Sequence, residues 1–210
     1  MGQMEKDLGT KLDWVGVVPT VFAGSPVAVE GSVEVGSTRV VVPDGAGEAR
    51  IGGAGVADFR YEQVLIEENI RHGEPCFYLN LHSRLVGPYI GQLGNAEQKA
   101  RYLPAIAKGE LRLQSMGVTE PSTGTDTTKI KTSAVKTGDR YVVNGQKVWI
   151  SRIHHSELMI LLARTTPLAD VVKKSEGMSI FIVDLRQAIG HGLTVRPIAN
   201  MVNHESNELF

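Results

Sequence analysis

Val118-Thr119-Glu120-Pro121-Ser122-Thr123-Gly124-Thr125-Asp126 is the stretch on which the reading of this chain turns. It reads as a strand running into a tight turn dense in small hydroxyl residues. Pro121 sets the turn, and Gly124 permits close backbone approach. Backbone N–H groups and hydroxyls in such a turn suit a phosphate or a polar ring edge. They suit a plain surface turn equally well.

Downstream, Asn144-Gly145-Gln146-Lys147-Val148-Trp149-Ile150-Ser151 extends the pattern. Asn-Gly is a strong signal for a two-residue hairpin, and it predicts a strand over Gln146–Ser151. An indole at a strand end is usually core or interface. Beside a hydroxyl and a polar turn it also suits the flank of a flat aromatic cofactor. Strands are further predicted at Leu111–Val118, Lys131–Thr137, Tyr141–Val143, Leu158–Ala163, Met178–Asp184 and Leu193–Ile198. Six or more short strands in succession predict a barrel or sandwich.

Upstream, the texture is helical. Asp58 is placed to cap Phe59–Arg71, and Gly73 to stop it. Pro75 opens a second helix, with Phe77, Leu81, Leu85, Tyr89 and Leu93 as an apolar stripe that Pro88 kinks or ends. Asn95 and Gln98 form a capping box. The helix they start runs to about Tyr102, with Pro104 restarting a short turn that Lys108-Gly109 ends. The fold class is therefore α+β, a helical block followed by an all-β, barrel- or sandwich-like domain. The divisions fall at 1–52, 53–110 and 111–210.

The head is of another composition. Of 23 glycines in 210 residues, 11 lie in 1–55, and 11 valines lie between Val15 and Val42. Alternation through Val27, Val29, Gly31, Val33 and Val35 predicts a half-buried strand, Gly36-Ser37 a turn, and Thr38–Val42 its return. Gly52-Gly53-Ala54-Gly55 lacks both the GxGxxG spacing and the Walker lysine, so it reads as a junction. The net charge of −1 argues against a nucleic-acid binder. The lone Cys76 excludes an internal disulfide and reads as a buried structural thiol. The longest apolar stretch, Leu158–Ala163, is too short to span a bilayer, and the N-terminus has no secretory pattern. Adjacent His154 and His155 would point to opposite faces of a strand, which argues against a shared metal there.

The two central segments together resemble the acyl-CoA dehydrogenase family. Its pattern is Val-Thr-Glu-Pro…Gly-Ser/Thr-Asp followed by Asn-Gly-x-Lys-x-Trp-Ile-Thr/Ser. Tyr102-Leu103-Pro104…Gly109-Glu110 and Gly177-Met178-Ser179-Ile180-Phe181 resemble the family as well, so the likeness runs from about Gly52 to Phe210. It implies an N-terminal helical domain, a middle β-domain and a C-terminal four-helix domain, with FAD between the last two. Met116, Val118, Thr119, Gly124 and Thr125 would border the flavin. Thr119 would meet its pyrimidine edge. Thr125, where the family usually has Ser, would touch both flavin and acyl-CoA. Trp149, Ile150 and Ser151 would flank the ring, with the Ser151 hydroxyl near N5.

The implied reaction is α,β-dehydrogenation of an acyl-CoA thioester. A glutamate removes the α proton, the β hydride passes to FAD, and an electron-transfer flavoprotein takes the electrons. The base is expected beyond Phe210, so residues 1–210 read as an inactive fragment of a homo-oligomeric enzyme of the cytoplasm, or of the mitochondrial matrix in a eukaryote. Glu205 and Glu208 read as solvated charges, and Glu120 as structural. Arg152-Ile153-His154-His155 stands where the family commonly has Asn-Gly, Met116 where it has Tyr or a similar group, and residues 1–52 where it has helices. Related flavin oxidases and monooxygenases, or a non-catalytic β-domain used for binding, are the alternatives.

Overall fold

The computed structural model describes residues 15–19, 31–35, 38–42, 59–73, 81–201 and 205–210. They fall into two compact units, Met1–Thr20 with Ser115–Phe210, and Val21–Gln114. Expectations for Val27, Val29, the Gly36-Ser37 turn, the Gly52–Gly55 junction, Asp58, Pro75, Cys76 and Phe77 lie outside the described residues.

The β unit is built around β8 (Leu158–Arg164) and β9 (Met178–Asp184), antiparallel in register from Leu158↔Asp184 to Arg164↔Met178. Every residue of β8 is buried, and all of β9 except Asp184. Strands covered on both faces read as continuous apolar runs rather than alternation, which is how both appear in the sequence. β1 (Val15–Pro19) flanks β9. β4 (Leu113–Gly117) and β5 (Ser133–Thr137) join β8, and β6 (Arg140–Asn144) pairs with β5. A second sheet has the order β10-β11-β7, from Val195–Pro197, Ser206–Leu209 and Lys147–Ser151. The expected barrel or sandwich thus resolves into separate six- and three-stranded sheets rather than a closed barrel. Ile150, Ile153, Met159, Phe181 and Leu209 belong to its core, and Tyr141 packs edge-on against Phe181 at 5.2 Å between ring centroids.

The hairpins correct the sequence reading at one point. β5 and β6 are joined by Gly138-Asp139, with Thr137 opposite Arg140 and Gly138 at φ +64°. That is the two-residue hairpin. Asn144-Gly145, expected to make one, instead carries the chain from β6 in the first sheet to β7 in the second. Gly145 is not in the left-handed region. A Cβ there would lie 2.3 Å from Thr132 Oγ1 and 2.7 Å from Thr132 Cα, so glycine is required by close approach and not by a turn.

In the other unit, β2 (Gly31–Val35) and β3 (Thr38–Val42) form the expected hairpin, Val35 opposite Thr38. α1 covers Phe59–Arg71 as expected, and Gly73 follows at φ +75°. A π-helical turn, Leu81–Val86, leads into α2 (Gly87–Leu93), with Pro88 in its first turn, where a missing N–H is harmless. The predicted stripe is corrected. Leu85 is 47% exposed, whereas His82, Val86 and Ile90 are buried. A step of four residues advances about 400° around a helix, so a strict period of four drifts off one face. His82 takes a hydrogen bond from the Leu113 amide on Nδ1, at 3.1 Å. α3 (Ala96–Ala107) begins with the reciprocal Asn95–Gln98 capping box. It does not break at Pro104, which lies inside one continuous helix. Ala100, whose carbonyl loses its donor to the ring, is exposed, so water can replace the lost bond. No helix among the described residues is long and apolar enough to cross a membrane.

Candidate functional site

β4 alternates, with Leu113, Ser115 and Gly117 buried and Gln114 and Met116 half-buried on the other side. A Cβ at Gly117 would lie 3.1 Å from Leu161 Cδ1 and 3.3 Å from Met159 Sδ, so glycine lets β4 lie close on β8. Val118 and Thr119 follow the strand, half-buried. The chain then reverses. The Glu120 amide donates to the Thr123 carbonyl at 2.9 Å, and the Thr123 amide returns a bond to the Glu120 carbonyl at 3.1 Å. Pro121 and Ser122 form the tip. The Thr123 hydroxyl donates to the Asp126 carbonyl, and Asp126 in turn accepts from the Thr128 amide at 3.2 Å and pairs with Lys129 at 3.0 Å. Hydrogen bonds from Thr128 and Lys129 hold the Asp126 carboxyl below its ordinary value. Gly124 and Thr125 are exposed at the outer side of this turn.

The turn is fastened to β7 from inside. Glu120 and Lys147 form an ion pair of 2.9 Å, each side chain only 3% exposed. The Lys147 ammonium also donates to the Val118 carbonyl at 3.0 Å. The Glu120 carboxylate further accepts the amides of Lys131 at 2.6 Å and Thr132 at 2.9 Å. Burial, the largest influence on Glu120, raises its pKa. The bonds from Thr132, Lys131 and Lys147 outweigh it and hold the carboxyl below its usual value. Burial likewise pushes the Lys147 ammonium down, against the pull of Glu120. One main-chain bond completes the clamp, from the Val148 amide to the Thr119 carbonyl at 3.0 Å.

β7 carries an irregularity at its centre. Asn207 faces Ile150, but Leu209 faces Lys147, so Val148 and Trp149 together stand opposite Glu208. This is a β-bulge. Trp149 sits in it at φ +61° with its side chain 60% exposed. A bulky residue in the left-handed region is a genuine outlier, and such outliers gather where function holds them. Asn207, 1% exposed, fixes the bulge from β11 by donating from Nδ2 to the Ile150 carbonyl at 3.2 Å.

The strand's alternation decides what each predicted residue offers. Trp149 and Ser151 lie exposed on one face of β7, and Ile150 is buried at 2% on the other, within the core. Ile150 therefore presents only its main chain to anything outside. Trp149 and Ser151 together provide an apolar plate with a hydroxyl two residues along. Arg152 follows, also left-handed at φ +61°, and donates from one nitrogen to both Glu205 carboxylate oxygens at 2.9 Å. Glu205 is thus half-buried and paired, not the solvated charge expected. His154 and His155 lie in a 3-10 turn, not a strand, with His155 Nε2 3.6 Å from Glu205. Sequence reasoning missed Lys147, Asn207 and the Arg152–Glu205 pair. For Lys147 a signal existed, since a lysine preceding Val148 at a strand's buried start has to find a carboxylate, and Glu120 lies in the neighbouring motif.

Comparison with known proteins adds the following. The profile described as "Acyl-CoA dehydrogenase, middle domain" matches residues 115–209, and "Acyl-CoA dehydrogenase, N-terminal domain" matches 29–110. A relative named acyl-CoA dehydrogenase FadE26, from Mycobacterium tuberculosis, is 36% identical over 147 residues, covering 70% of this chain and 35% of its own. Among solved structures, an acyl-CoA dehydrogenase from Geobacillus kaustophilus superposes with a TM-score of 0.67 at 34% identity, over 78% of this chain and 42% of that one. The ChsE4-ChsE5 complex from Mycobacterium tuberculosis gives a TM-score of 0.66 at 34% identity, over 77% and 40%. The chain thus spans about a third of the length of the relative it matches.

Proposed function

The chain belongs to the acyl-CoA dehydrogenase family, and from that premise we propose that Thr119, Trp149 and Ser151 cradle the isoalloxazine of FAD in an enzyme that dehydrogenates acyl-CoA thioesters. The observation that carries this is the bulge at Val148–Trp149, which turns a large indole out to 60% exposure on the same face as Ser151. Left bare, so much apolar surface held in a strained backbone has no benefit; under a flat aromatic ring it has one. The residues present therefore fit the flavin.

FAD, when bound, supplies the acceptor for the hydride from the substrate's β carbon. Trp149 covers one ring face and excludes water from it. Ser151 presents a hydroxyl donor for the nitrogen that receives the hydride, where a positioned donor is most useful. Thr119 offers a hydroxyl to the polar edge. Met116 and Val118 supply apolar wall, and Ile150 its main chain. Thr125 meets both flavin and acyl-CoA at the exposed turn, where Gly124 allows close approach. Of the carboxylates near the cradle, Glu120 is held by Lys147 and Glu205 by Arg152, so neither is free to take an α proton. The base is assigned outside residues 1–210. An electron-transfer flavoprotein is the acceptor and a homo-oligomer the working form, in the cytoplasm or the mitochondrial matrix.

The test is retention of FAD by the purified chain, read by flavin absorbance after gel filtration. Retention is expected, with affinity about two- to tenfold weaker in Trp149→Ala, in line with the loss of one stacked aromatic plate. Unchanged affinity in both Trp149→Ala and Ser151→Ala overturns the cradle. With acyl-CoA and an artificial electron acceptor the chain alone is expected to be inactive, and sustained turnover would place the base within it.

A further inference from the structure

β7 and β11 are pinned to each other at both ends. At one end Lys147 faces Leu209 and is held by Glu120. At the other Ser151 faces Ser206, with Arg152 bound to Glu205 just beyond. Lys147 and Ser151 are four residues apart and their partners three, so β7 carries one residue more than β11 can face. The two ends do not say which residue that is. With Asn207 opposite Ile150, the surplus falls at Val148–Trp149, and Trp149 turns outward at φ +61°. With Asn207 opposite Trp149 instead, the surplus would fall at Ile150. Trp149 would then share the face of Lys147, which is buried. Apolar burial alone does not make the choice, since Trp149 is the larger apolar side chain and is the one left outside.

What separates the two pairings is the Asn207 side chain. Its Nδ2 donates to the Ile150 carbonyl at 3.2 Å and to the Glu205 carbonyl at 2.7 Å, so both amide hydrogens are used at this joint. Its Oδ1 is buried without a partner. A buried amide with an empty acceptor is a poor source of stability, and an apolar residue of similar shape often serves as well or better. Fixing register is what such a group does well, because a shifted pairing would strand its donors too. We infer that Asn207 selects Trp149 as the bulged residue and is thereby a positioning residue for the indole of the proposed cradle. The selection stands on the strand pairing; its use against a flavin rests on the acyl-CoA dehydrogenase reading.

The experiment uses the purified 210-residue chain carrying Trp14→Phe, which leaves Trp149 as the sole indole. Asn207→Leu roughly keeps the shape and removes both donors. Asn207→Thr, a good strand former, is the second variant in case the first does not fold. Circular dichroism and urea unfolding follow the fold, acrylamide quenching follows the indole without flavin, and an absorbance titration follows FAD. The urea midpoint is expected at or above that of the parent. Quenching of Trp149 is expected to fall by about half or more, as the indole moves to the buried face. FAD affinity should fall about two- to tenfold, as in Trp149→Ala, and adding Trp149→Ala to Asn207→Leu should weaken it no further. Unchanged quenching in a folded variant overturns the inference, whatever FAD does. Failure of both variants to fold makes Asn207 a stability residue and overturns it as well. Reduced quenching, with an FAD affinity that neither Asn207→Leu nor Trp149→Ala alters, upholds the selection and fails the cradle alone.

Discussion

Lys147 Nζ lies 2.9 Å from Glu120 Oε1, with both side chains 3% exposed. Two charges this deeply buried are tolerated only when their remaining valences are filled. Here they are, by the Val118 carbonyl on one side and the Lys131 and Thr132 amides on the other. The pair therefore joins three stretches of chain at one point, the end of β4, the start of β5 and the start of β7. Thr119 and Trp149, the two arms of the proposed cradle, each stand within two residues of a member of the pair.

Removing both partners is expected to cost clearly less than the two single losses added together. Lys147→Met or Glu120→Gln alone should lower unfolding free energy by about 3–5 kcal/mol, because each leaves an unanswered buried group. Lys147→Met combined with Glu120→Gln should lose clearly less than the sum of the two. Urea unfolding of the four proteins measures the cycle. Additive losses would mean that the two side chains do not act as a pair.

Acid should reveal the same contact. The Glu120 carboxyl is held below its ordinary value of 4.5 in the folded chain. Its contribution is therefore complete above the unfolded value and is lost as pH falls from about 4.5 through the lower, folded value. Asp184, lowered by Arg186, and Asp126 add acid sensitivity of their own. The informative quantity is the difference in melting temperature between wild type and Glu120→Gln. That gap should be constant from pH 7 to 5 and narrow below 4.5. A gap that stays constant to pH 3 would contradict the assignment.

Two glycines with different reasons should respond differently to alanine. Gly145→Ala drives a Cβ to 2.3 Å from Thr132 Oγ1 and 2.7 Å from its Cα, where backbone cannot yield cheaply. A loss of about 2 kcal/mol or more is expected. Gly138→Ala meets nothing within 4 Å and has only its φ of +64° to answer for. About 1 kcal/mol is expected there. Thermal unfolding of both variants decides, and the reverse order would restore Asn144-Gly145 as the hairpin turn.

That pair of glycines also shows where the sequence was legible. β8 and β9 could be placed because continuous apolar runs of that length between polar loops have few other solutions. The helix Phe59–Arg71 and the Asn95 capping box follow from local chemistry, which the sequence carries entirely. Asn144-Gly145 is a local signal too, yet the chain used it for another purpose. Whether β7 pairs with β6 or with β11 depends on residues some sixty positions downstream, and no local pattern encodes that choice. The bulge at Trp149 was hidden for the same reason, since a bulge is a relation between two strands. For the candidate site, the identities of Trp149, Ser151 and Thr119 could be read from motif. That Ile150 turns inward, and that Lys147 grips Glu120, required the register.

Arg152 offers the sharpest comparison. It holds φ +61°, a conformation that disfavours a residue with a Cβ by about 1–2 kcal/mol but suits asparagine, the residue the family commonly has here. What arginine adds is its bond to both Glu205 oxygens at 2.9 Å. With side chains 17% and 27% exposed, that pair should contribute about 0.2–1 kcal/mol, as exposed and partly screened pairs do. Arg152→Asn exchanges one benefit for the other and should leave stability nearly unchanged. Arg152→Ala keeps the strained backbone and loses the pair, so it should fall below Arg152→Asn by about 0.5–1 kcal/mol. Glu205→Gln, which removes the ion pair on the same left-handed backbone, should fall with Arg152→Ala, below Arg152→Asn. Urea midpoints of the three variants test the order. Arg152→Ala equal to Arg152→Asn would show that the left-handed backbone does not govern this corner of the proposed cradle, and Glu205→Gln equal to wild type would show the same of the ion pair.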